Sequence, residues 1–194
     1  MSATRSLTLA DVALPRAGAL PQLALVVGAS LVTAAAAQVA VPLPWTPVPL
    51  TGQTFAVLLT GAVLGARRGF AAQVLYLAQG ALGLPVFAAG AAGAAKLLGP
   101  TGGYLLAFPL AAAVTGALCE RGWDRRFTTM LAAMLLGSVA IFALGLAWLA
   151  RFVPGPALLA QGLLPFVPGD LVKAALAALA FPAAWRVAHR RGAA

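Results

Sequence analysis

The sequence predicts an all-α, polytopic membrane protein with six transmembrane helices and both termini in the cytoplasm. Hydrophobic residues make up 62% of its 194 residues and charged residues only 9%, whereas about a quarter of an average soluble domain is charged. No charged residue occurs between Arg16 and Arg67, or between Arg126 and Arg151. Charge-free apolar runs of about 18 residues or more are typical of bilayer-spanning helices.

Six apolar segments follow one another, and proline, glycine or arginine marks the end of each. In chain order they are residues 20–41, 51–66, 69–84, 102–119, 127–150 and 169–188. The second is short. These segments predict a cytoplasmic N-terminal segment over 1–19, a single membrane domain over 20–189 and a cytoplasmic tail over 190–194.

The basic residues set the predicted orientation, because loops rich in lysine and arginine stay in the cytoplasm. With six spans, ten arginines fall on one side: Arg5, Arg16, Arg67, Arg68, Arg121, Arg125, Arg126, Arg186, Arg190 and Arg191. Only Lys96 and Arg151 fall between spans on the opposite side. The net charge of +9 lies in these short clusters and not in a basic stripe, so nucleic acid is not an expected partner.

Small residues recur at four-residue spacing, which permits close helix approach within a membrane. Gly61, Gly65 and Gly69 follow this spacing, as do Ala36 and Ala40 in the first segment. Two interpretations stay open from spacing alone: packing within this chain, or a docking face for another membrane subunit.

The three connections on the outer side are apolar and rich in proline or glycine: "VPLPWTPVPLTGQTF", "LPVFAAGAAGAAKLLGPTGGY" and "RFVPGPALLAQGLLPFVPGD". Irregular backbone at membrane depth is tolerated where protein buries it or where it lines a cavity. We therefore expect these connections to fold back over the helices and to cover a pocket that opens to the outside.

Most of the unusual polar residues fall in this outer region. They are Gln53, Thr54, Lys96, Thr101, Tyr104, Asp170 and Lys173. Each has a structural explanation: Asp170 as a helix cap, Lys173 as its i+3 partner, Gln53 as a partner for backbone groups, and Thr101 and Tyr104 as interfacial anchors. Their convergence favours a binding site, because a charged residue at the centre of a membrane helix costs about 2.5–3.5 kcal/mol on insertion scales.

Enzymatic chemistry is not expected. The chain has four acidic residues, and three of them fall on the cytoplasmic side; its single histidine, His189, lies in the basic tail. No phosphate-binding loop, metal-ligand cluster or serine–histidine pair is apparent, and the single Cys119 excludes an internal disulfide. We expect no cofactor and no metal, but a binding subunit for a small amphiphilic molecule.

Three motifs carry a specific resemblance: "LTGQTF" at 50–55, "GPTGGY" at 99–104 and "PGDLVK" at 168–173. In this order they resemble BioY, the family of biotin-specific S components of energy-coupling factor (ECF) transporters. The resemblance covers most of the chain. It implies six helices in a bacterial inner membrane and one biotin bound near the extracellular face. It also implies a transmembrane coupling subunit and two ATPase subunits as partners.

The resemblance also implies site residues. Asp170, Lys173 and Gln53 occupy positions of recognition residues, as does the segment with Thr101, Gly102 and Tyr104. Apolar contacts to biotin are expected from Trp45, Phe87 and Tyr104, and the biotin carboxylate needs either Lys96 or the backbone of "GPTGG". The stretch "FAAGAAG" and Ala107 depart from the glycines common in the family.

Partner contacts are expected along the small-residue face of the first segment, at Ala29, Ala36 and Ala40. Membrane lipid and a second copy of the chain are further candidate partners, and whether the chain acts without dedicated ECF subunits stays open. The alternatives to biotin binding are an S component for another vitamin, a membrane enzyme acting on lipid or isoprenoid head groups, and a structural membrane subunit without a ligand.

Overall fold

A computed structural model describes the backbone of residues 7–14 and 18–192, and their side chains except those of 189–192. Five residues named in the sequence analysis have no described side chain: Arg5, Arg16, His189, Arg190 and Arg191. The described chain is mostly helical. Its helices are α1 (Leu9–Ala13), α2 (Ala19–Gln38), α3 (Gln53–Leu64), α4 (Ala66–Ala81), α5 (Ala94–Leu98), α6 (Gly102–Cys119), α7 (Phe127–Leu149), α8 (Gly155–Gly162) and α9 (Val167–Gly192).

Each predicted apolar segment forms one helix of a bundle made by α2, α3, α4, α6, α7 and α9. The first helix is shorter than predicted, because it ends at Gln38 and not at residue 41. Strand β1 (Ala40–Val41) pairs there with the antiparallel strand β2 (Leu50–Thr51). Val41 precedes Pro42, and a residue before proline disfavours the helical conformation. Ala40 is therefore in a strand, and its predicted helical spacing from Ala36 is wrong.

Four stretches of the described residues are long and apolar enough to cross a membrane. They are Ala19–Gln38, Gly102–Cys119, Phe127–Leu149 and Gly155–Ala188, the last of which contains α8 and most of α9. Helix α3 is apolar but has only 12 residues. Helix α4 has 16 residues, and its first turn contains the Arg67–Arg68 pair.

Helices α3 and α4 are joined by one residue, Gly65. Its φ of +83° lies in the left-handed region, where a side chain is strained. A Cβ at this position would also overlap the carboxylate of Glu120. That carboxylate accepts a hydrogen bond of 2.9 Å from the amide of Ala66, the first residue of α4. The Glu120 side chain, at the end of α6, therefore fixes the turn between α3 and α4.

The other small residues of this region bring backbones into contact. A Cβ on Gly61 would overlap the carbonyl of Ala112, so α3 and α6 touch backbone to backbone. A Cβ on Gly69 would lie 2.9 Å from the Cα of Gly61, where α4 crosses α3. Gly61, Gly65 and Gly69 thus serve packing within this chain, the first of the two interpretations of their spacing.

The end of the bundle that carries the arginine clusters is closed by polar contacts. Arg68 forms an ion pair of 2.7 Å with Asp11 of α1. Asp124 is fully buried between α6 and α7, and it accepts a hydrogen bond from the indole N–H of Trp185 in α9. Burial raises the pKa of the Asp124 carboxyl. The guanidinium of Arg125 lies 3.6 Å from the centre of the Trp185 ring, so the α6–α7 connection is fixed to α9.

The opposite end is covered by the three apolar connections, as the sequence predicts. The hydroxyl of Thr46 donates a hydrogen bond of 2.7 Å to the carbonyl of Gln161 in α8. Tyr104 donates one of 2.8 Å to the carbonyl of Gly162, and the indole of Trp148 donates one of 3.0 Å to the carbonyl of Gly99. These long-range contacts hold irregular segments over the helix ends.

Candidate ligand-binding site

A cavity lies beneath these connections, at the ends of α3, α6, α7 and α9. The free space between its walls is about 620 Å³ when the open mouth is included. Most of its walls are apolar. Its lining comprises Val48, Pro49, Leu50, Thr51, Gln53, Thr54, Phe87, Ala88, Lys96, Thr101, Tyr104, Leu105, Phe108, Phe142, Phe166, Asp170 and Lys173.

One wall of the cavity carries an ion pair. The ammonium of Lys173 lies 3.2 Å from Oδ1 of Asp170, one helical turn away on α9. Asp170 is only 7% exposed, and a buried charge needs a partner. Lys173 supplies the opposite charge, and two hydrogen bonds add to it. Asp170 accepts bonds of 3.3 Å from the hydroxyls of Thr54 and Ser138. The carboxylate is thereby bound from α3, α7 and α9 together.

The Lys173 ammonium has three N–H donors, and all have partners. Besides Asp170, it donates to the backbone carbonyl of Thr51 at 3.1 Å and to the hydroxyl of Thr54 at 3.0 Å. The ion pair is therefore a saturated network in this structure. A ligand that binds here must replace internal hydrogen bonds.

Gln53, at the start of α3, is 4% exposed and its amide has a fixed orientation. Its carbonyl accepts a hydrogen bond of 3.0 Å from the hydroxyl of Thr51, and its NH₂ group donates to the hydroxyl of Tyr76. Tyr76 in turn donates to the carbonyl of Val86 at 3.0 Å. The other N–H of this amide has no partner among the described residues, and Gln53 lines the cavity.

Two further polar groups on the lining lack partners in the described part of the chain. The hydroxyl of Thr101 is buried and makes no hydrogen bond, which is uncommon because buried polar groups are nearly always satisfied. Lys96, on α5, lines both this cavity and an adjoining groove beneath residues 40–49. No hydrogen bond or ion pair is formed by its ammonium among the described residues.

The geometry thus combines paired charges, spare hydrogen-bonding groups and apolar walls, which suits recognition of a small amphiphilic solute. Comparison with known proteins agrees. Residues 6–190 match the BioY family. The chain belongs to the BioY family.

Several relatives support this assignment. The chain is 45% identical over 147 residues to a probable biotin transporter BioY of Pyrococcus horikoshii, covering 76% of this chain and 85% of the relative. It is 40% identical to the biotin transporter BioY of Rhizobium etli, covering 72% and 79%. A crystal structure of the S-component for biotin from an ECF-type ABC transporter has a TM-score of 0.74 and 25% identity, covering 86% of this chain and 92% of the other.

Seven of the site residues predicted for this BioY protein line the cavity: Asp170, Lys173, Gln53, Tyr104, Thr101, Phe87 and Lys96. Trp45 does not line it; its side chain is 59% exposed on the connection between α2 and α3. Gly102 is also absent from the lining. A Cβ there would overlap the carbonyl of Leu97 and lie 3.2 Å from the indole nitrogen of Trp148, so this glycine packs α6 against α5 and α7.

The residues predicted for partner contact lie away from the cavity, on or next to α2. Ala29, Ala36 and Ala40 are all half-buried. Ala29 lines a groove between α2 and α3. The Ala36 carbonyl packs against Gly52, where an added Cβ would lie 2.9 Å away. Ala40 is opposite Thr51 in the strand pair.

Sequence reasoning missed several residues of the cavity. Ser138 donates a hydrogen bond to Asp170 and is the only hydroxyl residue in the apolar stretch from Met130 to Leu149. A single hydroxyl in such a stretch could have indicated a residue of the site. Phe108, Phe142 and Phe166 form much of the apolar wall. The sequence could not indicate these three residues, because an apolar aromatic side chain is equally compatible with a position facing lipid and one facing a cavity.

Proposed function

We propose that this BioY-family protein binds biotin in the cavity and serves as the substrate-capture subunit, or S component, of an ECF-type vitamin transporter. The observation that carries the proposal is the Asp170–Lys173 pair, held by Thr54 and Ser138 on the wall of an otherwise apolar cavity. Of the relatives named above, one is described as a biotin transporter and the other as a probable biotin transporter. This function needs no catalytic group and no cofactor in the chain itself.

The chain is a multi-pass membrane protein, and we propose that all six helices of the bundle cross a bacterial inner membrane. Helices α3 and α4 have 12 and 16 residues and are about 18 and 24 Å long, less than a hydrocarbon core of about 30 Å. The adjoining connections make up this difference. The arginine-rich end would face the cytoplasm together with both termini, and the cavity would open outwards.

The ureido ring of biotin has two N–H donors and one carbonyl acceptor. The Asp170 carboxylate is placed to accept from an N–H, and Lys173 or the spare N–H of Gln53 to donate to the carbonyl. Because Lys173 already uses its three donors, the ureido group would take the place of an internal partner. A ligand without these groups could not replace the internal hydrogen bonds that it displaces, so close analogues are rejected.

The remaining parts of biotin suit the rest of the cavity. Its fused rings and aliphatic chain would contact Phe87, Tyr104 and Phe142, and the unpartnered hydroxyl of Thr101 would donate to the ligand. Its carboxylate would reach Lys96 at the boundary with the adjoining groove. Charge-assisted hydrogen bonds of this kind are about twice as strong as neutral ones.

Replacing Lys96 tests this placement of the carboxylate. We expect Lys96→Met to weaken biotin binding about ten- to a hundredfold, because a charge-assisted bond contributes about 1.5–3 kcal/mol. Binding of biotinamide, which lacks the negative charge, should change little. Isothermal titration calorimetry with both ligands measures the two effects, and an equal loss for biotin and biotinamide would place the carboxylate elsewhere.

Equilibrium binding of radiolabelled biotin to the detergent-purified protein tests the function itself. We expect saturable one-to-one binding that unlabelled biotin displaces and other vitamins do not. Displacement by a different vitamin would indicate an S component of another specificity. Absence of any ligand from a monodisperse preparation would favour a structural subunit, and turnover of a lipid or isoprenoid head group would favour an enzyme.

An S component depends on partners for energy, and we propose a transmembrane coupling subunit with two ATPase subunits. The candidate contact is the face of α2 around Ala29, which is half-buried and borders the groove between α2 and α3. Ala36 and Ala40 would contribute only at its edge, because both also contact the segment at 51–52.

We expect Ala29→Trp to prevent co-purification with the coupling subunit and to spare biotin binding, because the added ring would hold the two helix surfaces apart. The matched control is Ala143→Trp, at an exposed position of α7. Affinity purification of the co-expressed complex gives the readout. Equal recovery of the complex with both variants would exclude this face of α2.

A further inference from the structure

A groove runs along the outside of the bundle between α2 and α3, away from the proposed biotin cavity. Its walls are formed by small and aliphatic residues, among them Leu25, Gly28, Val32, Leu59 and Val63. Thr60 is the only hydroxyl on its lining and is 6% exposed. A Cβ added to Gly28 would meet no atom within 4 Å, so the groove is open at this point. Its chemistry suits a hydrocarbon chain.

The groove ends at the arginine-rich side of the molecule. Leu64, the last residue of α3, lines both the groove and a polar depression beside the start of α4. Arg67, Arg68, Asp11 and Glu120 also line this depression. The apolar surface is therefore continuous with a charged one.

The charges in this depression are not equally available. Arg68 is paired with Asp11 at 2.7 Å and also donates to the carbonyl of Leu64 at 2.8 Å. Glu120 accepts the amide of Ala66 at 2.9 Å. Arg67 is exposed, and its guanidinium makes no hydrogen bond or ion pair with any described residue. Arg67 is therefore the guanidinium of this depression that a ligand can reach, whereas the Glu120 carboxylate already caps the first turn of α4.

We propose that an anionic phospholipid occupies this surface, with its phosphate on Arg67 and one acyl chain along the α2–α3 groove. The inference rests on the proposed membrane orientation, which puts Arg67 at the cytoplasmic head-group level. Basic residues between membrane helices on that side attract anionic head groups, and each contributes about fivefold in affinity near the surface. The acyl chain fills apolar surface that the chain itself leaves uncovered. This surface includes Ala29, so the lipid would have to leave before the proposed coupling subunit docks there. The lipid site is separate from the biotin cavity, with which it shares no lining residue.

Native mass spectrometry of the detergent-purified protein tests the proposal, with phosphatidylglycerol and phosphatidylcholine as the probes. We expect one phosphatidylglycerol to be retained in preference to phosphatidylcholine. Arg67→Gln should lower its retention about fivefold. The matched control is Arg126→Gln, which removes the same charge from another exposed position on that side and should have little effect.

Gly28→Leu tests the groove separately, because the new side chain enters open space and would occupy the path of the acyl chain. We expect loss of the retained lipid, whereas Ala143→Leu on the exposed side of α7 adds the same kind of bulk without this loss. Both Arg67→Gln and Gly28→Leu should bind biotin like the parent protein. Equal retention of the two lipids, or equal effects of each variant and its control, would overturn the proposal. If the parent protein itself fails to bind biotin, the proposed function fails and the lipid result is unaffected.

Discussion

Asp170→Asn is expected to lower biotin affinity at least about a hundredfold, the equivalent of about 2.8 kcal/mol. The asparagine would leave the Lys173 ammonium without its counter-charge in a nearly closed site, and removing one partner of a buried pair typically costs about 3–5 kcal/mol. The asparagine NH₂ group would also face the ureido N–H, and two donors cannot form a hydrogen bond with each other. Equilibrium binding of radiolabelled biotin measures the change.

Ser138→Ala is the matched control, because it removes one neutral hydrogen bond from the same carboxylate and leaves the charges intact. A bond of this kind contributes about 0.5–1.5 kcal/mol, so we expect a loss of tenfold or less. Both variants should elute as the parent protein does from a size-exclusion column. An Asp170→Asn protein that is folded and binds biotin within threefold of the parent would remove this residue from the site.

Gly61→Leu is expected to prevent correct folding. Even a Cβ at this position would overlap the carbonyl of Ala112, and the neighbouring atoms are backbone, which cannot move as the end of a flexible side chain can. Overpacking typically costs about 1–3 kcal/mol and more where backbones must separate. Heating followed by fluorescence-detected size-exclusion chromatography measures the stability, and we expect a large loss of the monodisperse peak.

Gly28→Leu is again the control, because it makes the same substitution in a membrane helix at a position with no atom within 4 Å of the added Cβ. We expect its melting behaviour to match that of the parent protein. If both leucine variants were equally stable, α3 and α6 would have to lie further apart than in this structure.

The helical segments could be predicted to within a few residues, because charge-free runs and glycine or proline breaks report directly on membrane helices. Helix α4 begins and ends three residues earlier than predicted, and α2 ends three residues early. There the chain leaves the helix after Gln38 to form a strand pair with residues 50–51, a long-range pairing that local composition does not encode.

The site was only partly predictable. Polar residues such as Asp170 and Thr101 were visible because they are rare in this sequence. Trp45 was expected from its chemistry, yet it lies on the exposed side of its connection. Gly102 was expected from its motif, yet its contacts are with Leu97 and Trp148. Side-chain direction depends on how the irregular connections fold, and neither periodicity nor spacing specifies that.

The saturation of Lys173 has a thermodynamic consequence. Since its three N–H groups already have acceptors, a ligand exchanges hydrogen bonds at this point and does not increase their number. The polar network would then decide which molecule is accepted, while most of the affinity would come from covering the aromatic walls. Such an association has a marked negative change in heat capacity, so its enthalpy should become more favourable as the temperature rises.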